Sequence, residues 1–305
     1  MPVDAFKLRG VFVPLLTPFQ ADGALDLPAL DRLVEYLLAA GVHGLFVGGT
    51  TGEFPLLSTA ERQRVAETAV AAAAGRVPVV IHAGAPSTRE AIQLAVHAQH
   101  IGAPAIAVVA PYFFPLSDEA LRAHYVAVAA AVPRLPMLLY NIPQRTVNAL
   151  PPRLVADIVR QCPNVVGIKD SSGNLSQTIE YCALRADFQV AQGADGLLVA
   201  GLAVGIQATV SGNANVFPEL AVAVFEAWWR GDQAAARAAQ AQFDAIRRPL
   251  RDGMDLSLFK RVLARRGVEV GEVRAPLRAA TQGEVQAAVE AIEAAGVAVR
   301  PLVAR

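Results

Sequence analysis

The fold follows from the segment Val165-Val166-Gly167-Ile168-Lys169-Asp170-Ser171-Ser172. Its apolar, β-branched beginning is typical of a buried strand, and its polar end is typical of the loop that follows a strand. Strands that are apolar along their whole length belong to parallel sheets covered by helices. Lys169 therefore lies where a buried strand ends.

Seven further apolar runs predict strands of the same kind, at residues 11–19, 44–49, 78–83, 105–110, 136–141, 188–192 and 205–210. Helical patterns lie between them at residues 27–40, 58–74, 87–101, 117–132, 151–161, 175–185 and 195–202. Eight alternating units favour an α/β fold, a closed (β/α)8 TIM barrel. An open doubly wound sheet is the competing arrangement, but no Gly-x-Gly-x-x-Gly follows the first strand.

The strand patterns stop near residue 217, and helical patterns rich in Ala and Arg follow at residues 217–229, 232–250, 256–265 and 282–295. No low-complexity linker separates the two parts. We expect a barrel over residues 1–216 and a helical C-terminal extension over residues 217–305 that packs on it. Ser58 and Glu61 have the spacing of a helix capping box, and Ser117 with Ala120 has half of one.

The composition argues against a nucleic-acid-binding protein and against a membrane protein. The 305 residues include 27 basic and 27 acidic side chains, without the basic cluster that a nucleic-acid surface requires. No stretch approaches the roughly 18 apolar residues of a membrane span, and residues 1–10 lack the apolar core of a signal peptide. We expect a cytoplasmic protein. Cys162 and Cys182 lack metal-ligand spacing and are expected to be reduced thiols.

Lys169 has two interpretations. A buried ammonium is costly, so such a lysine is either paired with a carboxylate, for example Asp170, or serves as a neutral amine nucleophile. Only Lys7, Lys169 and Lys260 are lysines, whereas the other basic residues are arginines, which cannot form a Schiff base. A lysine retained at a strand end suggests amine chemistry, but the segment alone leaves both interpretations open.

Active sites of such barrels lie at the carboxyl ends of the strands. The second strand ends in Gly48-Gly49-Thr50-Thr51-Gly52-Glu53, which could bind a carboxylate or phosphate or form an ordinary turn. The fifth strand ends at Tyr140, which is either a core residue or a proton donor and acceptor beside an amine. His82 ends the third strand, where a structural role is the simpler account.

Three motifs together resemble a known family. Gly49-Thr-Thr-Gly-Glu53, Tyr140-Asn-Ile-Pro143 and Gly167-Ile-Lys-Asp-Ser-Ser-Gly173 resemble the dihydrodipicolinate synthase and N-acetylneuraminate lyase superfamily. The resemblance runs from about Gly10 through the barrel. It implies a pyruvate-dependent class I aldolase that needs neither a metal nor an external cofactor and assembles as a homotetramer.

The resemblance also implies roles for individual residues. Lys169 is expected to form a Schiff base with pyruvate or another 2-oxo acid, and Tyr140 to shuttle protons. Thr50 and Thr51 are expected to hold the pyruvate carboxylate, with Thr51 part of the catalytic set. The remaining expected substrate-binding residues are Arg145, which grips a second carboxylate in the synthases or is a solvated loop charge, Gly193 and Ile206.

The sequence departs from the synthases in one respect. They place a tyrosine after the fourth strand that reaches into the neighbouring subunit, and here Phe113 occupies that position, preceded by Tyr112. Pro86 and Thr59 match poorly with residues that bind inhibitory lysine in some synthases, so lysine inhibition is not expected. We expect an aldolase acting on a 2-keto-3-deoxy or 4-hydroxy-2-oxo acid. The alternatives are condensation of pyruvate with aspartate semialdehyde, and a non-catalytic 2-oxo acid binding protein.

Overall fold

Eight parallel strands form a closed barrel in chain order. The structure, a computed structural model, describes residues 6–302. The strands are β1 (Gly10–Pro14), β2 (Gly44–Val47), β3 (Val79–His82), β4 (Ala105–Val109), β5 (Met137–Asn141), β6 (Val165–Asp170), β7 (Gln189–Gln192) and β8 (Ala208–Val210). The predicted (β/α)8 barrel is therefore confirmed.

Helices follow the strands and continue beyond the last one. They are α1 (Leu27–Ala39), α2 (Thr59–Ala73), α3 (Thr88–His100), α4 (Asp118–Ala131), α5 (Pro143–Thr146), α6 (Pro152–Gln161), α7 (Leu175–Cys182), α8 (Leu198–Val204), α9 (Pro218–Trp229), α10 (Gln233–Arg247), α11 (Leu256–Arg265) and α12 (Gln282–Ala294). The Ser58 and Glu61 capping box is present, and the Ser117 hydroxyl accepts from the Ala120 N–H at 3.2 Å. None of the helices within residues 6–302 is long and apolar enough to cross a membrane.

The strands differ from the predicted segments mainly at their ends. β1 ends at Pro14 rather than Phe19. Pro18 has no N–H to donate to a ladder, and Phe19 instead forms an isolated antiparallel bridge with Leu25. β8 begins at Ala208, because Gly205, with a φ of 106°, instead caps the C-terminus of α8. The turn of helix α5 was not predicted.

Contacts group the chain into two compact units. One unit contains residues up to Arg9 and Pro78–Val210, with β3 to β8 and α3 to α8. The other contains Gly10–Val77 and the chain from Ser211 onward, with β1, β2, α1, α2 and α9 to α12. The predicted boundary between residues 216 and 217 stays a prediction, and its outer ends, residues 1–5 and 303–305, lie outside the described residues.

Sequence features explain how β6 is built. All six of its residues are buried, as the apolar run predicts. Gly167 is required because a Cβ at this position would collide with the carbonyl oxygen of Gln189 on β7. The strand extends one residue beyond its predicted end, so Lys169 and Asp170 are held by the ladder rather than by a loop.

Candidate active site

Lys169 and Tyr140 lie side by side on adjacent strands. They are Cα partners in the parallel pairing of β5 and β6, and the Lys169 Nζ lies 4.1 Å from the centre of the Tyr140 ring. The exposed fraction is 4% for Lys169 and 1% for Tyr140. Because paired residues of neighbouring strands project to the same face, the register of the sheet itself brings the amine and the phenol together.

Asp170 belongs to a different network. Its carboxylate is fully buried and accepts hydrogen bonds from Asn141 Nδ2 at 2.9 Å, from the Ser172 N–H at 3.1 Å and hydroxyl at 3.0 Å, and from Thr178 Oγ1 at 3.1 Å. Successive side chains of a strand point to opposite faces, so Asp170 faces away from the side that Lys169 occupies. The Asp170 carboxylate is therefore engaged by the donors of its own network.

The Asp170 network ties together the segments that follow β5 and β6. Asn141 Oδ1 accepts from the Leu150 N–H at 3.0 Å, and the Tyr181 hydroxyl donates to the Leu150 carbonyl. Burial raises the pKa of Tyr181, which keeps this hydroxyl protonated and able to donate. Buried polar groups that satisfy one another in this way fix the geometry of a site. The strand ends that carry Tyr140 and Lys169 are thereby held in place.

Arg145 lies on the short helix α5, directly after β5. Its side chain is exposed, and its neighbour Gln144 donates to the carbonyl oxygens of Ser171 at 3.3 Å and Ser172 at 2.8 Å. Thr146 Oγ1 donates back to the Ile142 carbonyl at 3.1 Å. These bonds attach the turn that carries Arg145 to the loop after Lys169.

Gly193 and Ile206 lie at opposite ends of their strands. The Gly193 N–H donates to the Asp170 carbonyl at 2.7 Å, and a Cβ at Gly193 would collide with the Ser171 hydroxyl, so this glycine permits close packing at the carboxyl end of β7. Ile206 precedes β8, and the register pairs Lys169 with Ala191 and Ala191 with Ala208. The structure therefore does not bring Ile206 to the level of Lys169.

His82 closes β3 and contacts Tyr140. The two rings meet edge to face, with centroids 5.9 Å apart and an interplanar angle of 83°. His82 is 2% exposed. The imidazole of His82 therefore packs against the ring that also faces Lys169.

Thr50 and Thr51 form a turn of 3-10 helix directly after β2, within the second compact unit. The Gly52 N–H donates to the Gly49 carbonyl at 3.0 Å, and the Glu53 N–H donates to the Thr50 carbonyl at 3.1 Å. Both threonines are half-buried. A compact turn after a strand, with two neighbouring hydroxyls, can donate to the oxygens of a small carboxylate.

Phe113 lies in the segment after β4 and is 79% exposed. Its φ of 82° lies in the left-handed region that aromatic residues seldom adopt. Its ring packs edge to face against Phe114, with centroids 5.1 Å apart. The position at which synthases carry a hydroxyl thus presents an exposed apolar ring.

Among residues 6–302, no group of three or more His, Cys, Asp or Glu side chains could hold a metal ion. Cys162 and Cys182 are free, as predicted, and burial raises the pKa of both thiols.

Comparisons with known proteins show which family the chain resembles over nearly its whole length. The family model described as the dihydrodipicolinate synthetase family matches residues 7–295. A 4-hydroxy-tetrahydrodipicolinate synthase of Sorangium cellulosum is 41% identical over 292 residues, which cover 95% of this chain and 97% of that protein. A probable 2-dehydro-3-deoxy-D-pentonate aldolase of Escherichia coli is 40% identical over 234 residues, covering 75% of this chain and 77% of the aldolase.

A solved structure extends the comparison to three dimensions. The Escherichia coli prophage protein YagE, described as a member of the dihydrodipicolinic acid synthase family and solved in complex with pyruvate, superposes with a TM-score of 0.91 at 31% identity. The match covers 95% of this chain and 99% of that one.

Proposed function

The chain belongs to the dihydrodipicolinate synthetase family and is a carbon–carbon lyase of the class I aldolase type, and from this premise we propose its substrate. The substrate is a 2-oxo acid with a hydroxyl on C4, of the 2-keto-3-deoxy sugar acid or 4-hydroxy-2-oxoglutarate class. The products are pyruvate and an aldehyde.

One observation carries this proposal: the amine of Lys169 lies 4.1 Å from the centre of the Tyr140 ring. In the proposed reaction the Lys169 amine attacks the C2 carbonyl, and loss of water leaves an imine. The protonated imine draws electrons from the C3–C4 bond. Tyr140 takes the proton of the C4 hydroxyl as that bond breaks, so an aldehyde leaves and an enamine remains.

The remaining steps restore the enzyme. Tyr140 returns the proton to C3 of the enamine, which gives the imine of pyruvate, and water then releases pyruvate and the free Lys169 amine. We assign Thr50 and Thr51 to the substrate carboxylate, because their half-buried turn offers hydroxyl donors. Gly193 stays in the proposal as a residue whose missing side chain permits close packing at the end of β7. Ile206 is left out of the proposed substrate contacts, because it precedes β8.

A second candidate is the synthase reaction, the condensation of pyruvate with aspartate semialdehyde. The exposed Arg145 favours it, because its turn is attached to the loop after Lys169 and could hold a second carboxylate. Phe113 favours the aldolase, because it cannot relay a proton. A non-catalytic 2-oxo acid binding protein would retain binding without turnover.

The test is a panel of 2-keto-3-deoxy and 4-hydroxy-2-oxo acids assayed for pyruvate release, alongside condensation of pyruvate with aspartate semialdehyde. The proposal expects a higher kcat/KM for cleavage of at least one acid than for condensation. Binding of pyruvate without turnover of any substrate would support the binding protein instead. The proposed homotetramer is tested by light scattering on the same preparation.

A further inference from the structure

A buried ion pair adjoins the threonine turn. Lys260 Nζ, on α11, lies 2.7 Å from Glu53 Oε1, and both side chains are fully buried. The same ammonium donates to the carbonyl oxygens of Thr17 and Glu272, each at 2.8 Å. Two hydrogen bonds and one ion-pair contact hold the Lys260 amine in place. Lys260 is thus a buried lysine paired with a carboxylate, an arrangement that was one of the two interpretations of Lys169.

The contacts of Lys260 converge on the turn by two routes. Directly, Lys260 holds the side chain of Glu53, which is the residue that ends the turn. Indirectly, Lys260 binds the carbonyl of Thr17, whose hydroxyl donates to the Gly52 carbonyl at 2.6 Å. Gly52 and Glu53 directly follow the two threonines, so both routes end beside the hydroxyls assigned to the substrate carboxylate.

The backbone at Glu53 requires such support. Its φ of 57° and ψ of 30° are left-handed, a conformation that is unfavourable for a residue with a Cβ unless the surroundings enforce it. The second carboxylate oxygen accepts from the Arg274 N–H at 2.9 Å. Glycine would adopt this backbone more readily but would offer no carboxylate. The glutamate is explained by its side-chain partners.

Arg274 attaches the same region a second time. Its guanidinium donates to the Leu56 carbonyl at 2.8 Å and to both Glu61 oxygens, at 2.7 and 3.0 Å. Its hydrogen bonds lower the pKa of Glu61 to about 2. The segment after the turn is therefore fixed at Glu53, at Leu56 and at the start of α2.

We propose that Lys260 and Glu53 are positioning residues for substrate binding. Their buried ion pair holds the turn so that the hydroxyls of Thr50 and Thr51 point at the carboxylate of the 2-oxo acid. Lys260 and Glu53 do not themselves touch the substrate. This inference rests on the proposed function, in which the two threonines bind that carboxylate.

The experiment titrates formation of the Lys169 imine with pyruvate, using borohydride to reduce the imine and mass spectrometry to count it. The variants are Glu53→Gln, Lys260→Met and the double variant, each kept well below its own measured Tm. We expect the half-saturating pyruvate concentration to rise roughly tenfold or more, because misplaced binding groups weaken capture of the substrate. Labelling at saturating pyruvate should reach the wild-type level.

The double variant separates positioning from stability. Each single substitution strands a buried charge, and burial already lowers the pKa of Lys260 while Glu53 opposes that shift. Removing both charges should restore part of the lost Tm. The half-saturating concentration should stay raised, because the turn has still lost its attachment. If the ion pair had a purely structural role, the Tm and the half-saturating pyruvate concentration of the double variant would recover together. That result would overturn the inference.

A matched control comes from a second buried cation in the same compact unit. Arg266 pairs with Glu219 at 2.8 Å and lies over the Phe217 ring at 4.4 Å, much as Lys260 lies over Phe19 at 4.4 Å. Arg266→Met and the milder Glu219→Gln should lower the Tm but leave the half-saturating concentration unchanged. If the Glu53 and Lys260 variants behave like these controls, the positioning role is wrong.

The wild-type titration separates the two proposals. Wild-type protein that forms no reducible imine at any pyruvate concentration would refute the proposed function, and the positioning role with it. Wild-type protein that is labelled, together with single variants whose half-saturation is unchanged, would refute only the positioning role.

Discussion

Tyr140 and Lys169 are register partners across β5 and β6, and this pairing places the Lys169 amine over the Tyr140 ring at 4.1 Å. Both residues are buried members of regular strands. Their relative position is set by the backbone ladder rather than by flexible loops.

The first prediction concerns the nucleophile. Borohydride reduction with pyruvate should add one pyruvyl group to the wild-type chain, on the peptide that contains Lys169. Lys169→Arg should abolish the label, because a guanidinium stays protonated and cannot form an imine. Peptide mapping provides the internal control, since Lys7 and Lys260 remain in the variant. A label that persists on either of them would contradict the assignment.

The second prediction concerns the proton shuttle. Tyr140→Phe keeps the ring against which Lys169 lies but removes the hydroxyl, so turnover should fall by about 100-fold or more while imine trapping persists. Tyr125→Phe is the control, because it removes another buried hydroxyl, which donates to the Val108 carbonyl at 3.3 Å. It should lower the free energy of unfolding by about 1 kcal/mol and spare turnover. Similar turnover in both variants would return Tyr140 to a core role.

The barrel and the position of Lys169 at a strand end could be predicted from the sequence, because a strand and its end are recognised from a few neighbouring residues. The number of strands and the positions of Lys169 and Tyr140 at strand ends required only the alternation of apolar and helical segments. The partner of Lys260 could not be predicted in this way. Glu53 and Lys260 are 207 residues apart, and no short-range pattern connects them.

The third prediction concerns the buried carboxylate of Asp170. Asp170→Ala removes the acceptor for four hydrogen bonds and leaves their donors buried, so the free energy of unfolding should fall by about 3 kcal/mol or more. Urea denaturation measures the change. Asp187→Ala is the control, because Asp187 is exposed and pairs with Arg185 on the surface, where about 0.5 kcal/mol is expected. Equal effects at the two sites would contradict the network.

The fourth prediction concerns the pH dependence of stability. His124 is buried on α4, with Nδ1 2.9 Å from Thr88 Oγ1 and no hydrogen-bond partner for Nε2 among the described residues. Burial lowers its pKa to about 4, below the ordinary value of 6.5. The unfolded chain therefore binds a proton first as the pH falls. The stability contribution is complete above about pH 6.5 and declines towards pH 4, by up to about 1.4 kcal/mol per pH unit.

His124→Gln should flatten the stability curve over that pH range, as measured by urea denaturation at several pH values. His100→Gln serves as the control, because His100 is exposed at the end of α3. A curve that remains as steep in His124→Gln as in the wild type would place the pH dependence elsewhere.

The positions of site residues were harder to predict where they depended on counting residues along an irregular segment. Ile206 was expected to line the pocket, but Gly205 ends α8 with a left-handed residue and delays the start of β8 to Ala208. Ile206 therefore precedes the strand instead of lying within it. The hydrogen bonds from Gln144 to the loop after Lys169 were not predicted either. They depend on the helical turn α5, which the sequence pattern did not indicate.

The last prediction concerns the choice of reaction and rests on Phe113. Its ring is 79% exposed and carries no hydroxyl, whereas the resemblance places a tyrosine of the synthases at this position. Phe113→Tyr should raise condensation of pyruvate with aspartate semialdehyde selectively, because it adds the missing hydroxyl. The neighbouring Phe114→Tyr is the matched control, since Phe114 is 68% exposed and undergoes the same chemical change. If the wild type already condenses aspartate semialdehyde with a higher kcat/KM than it cleaves any 2-oxo acid, the synthase proposal replaces the aldolase.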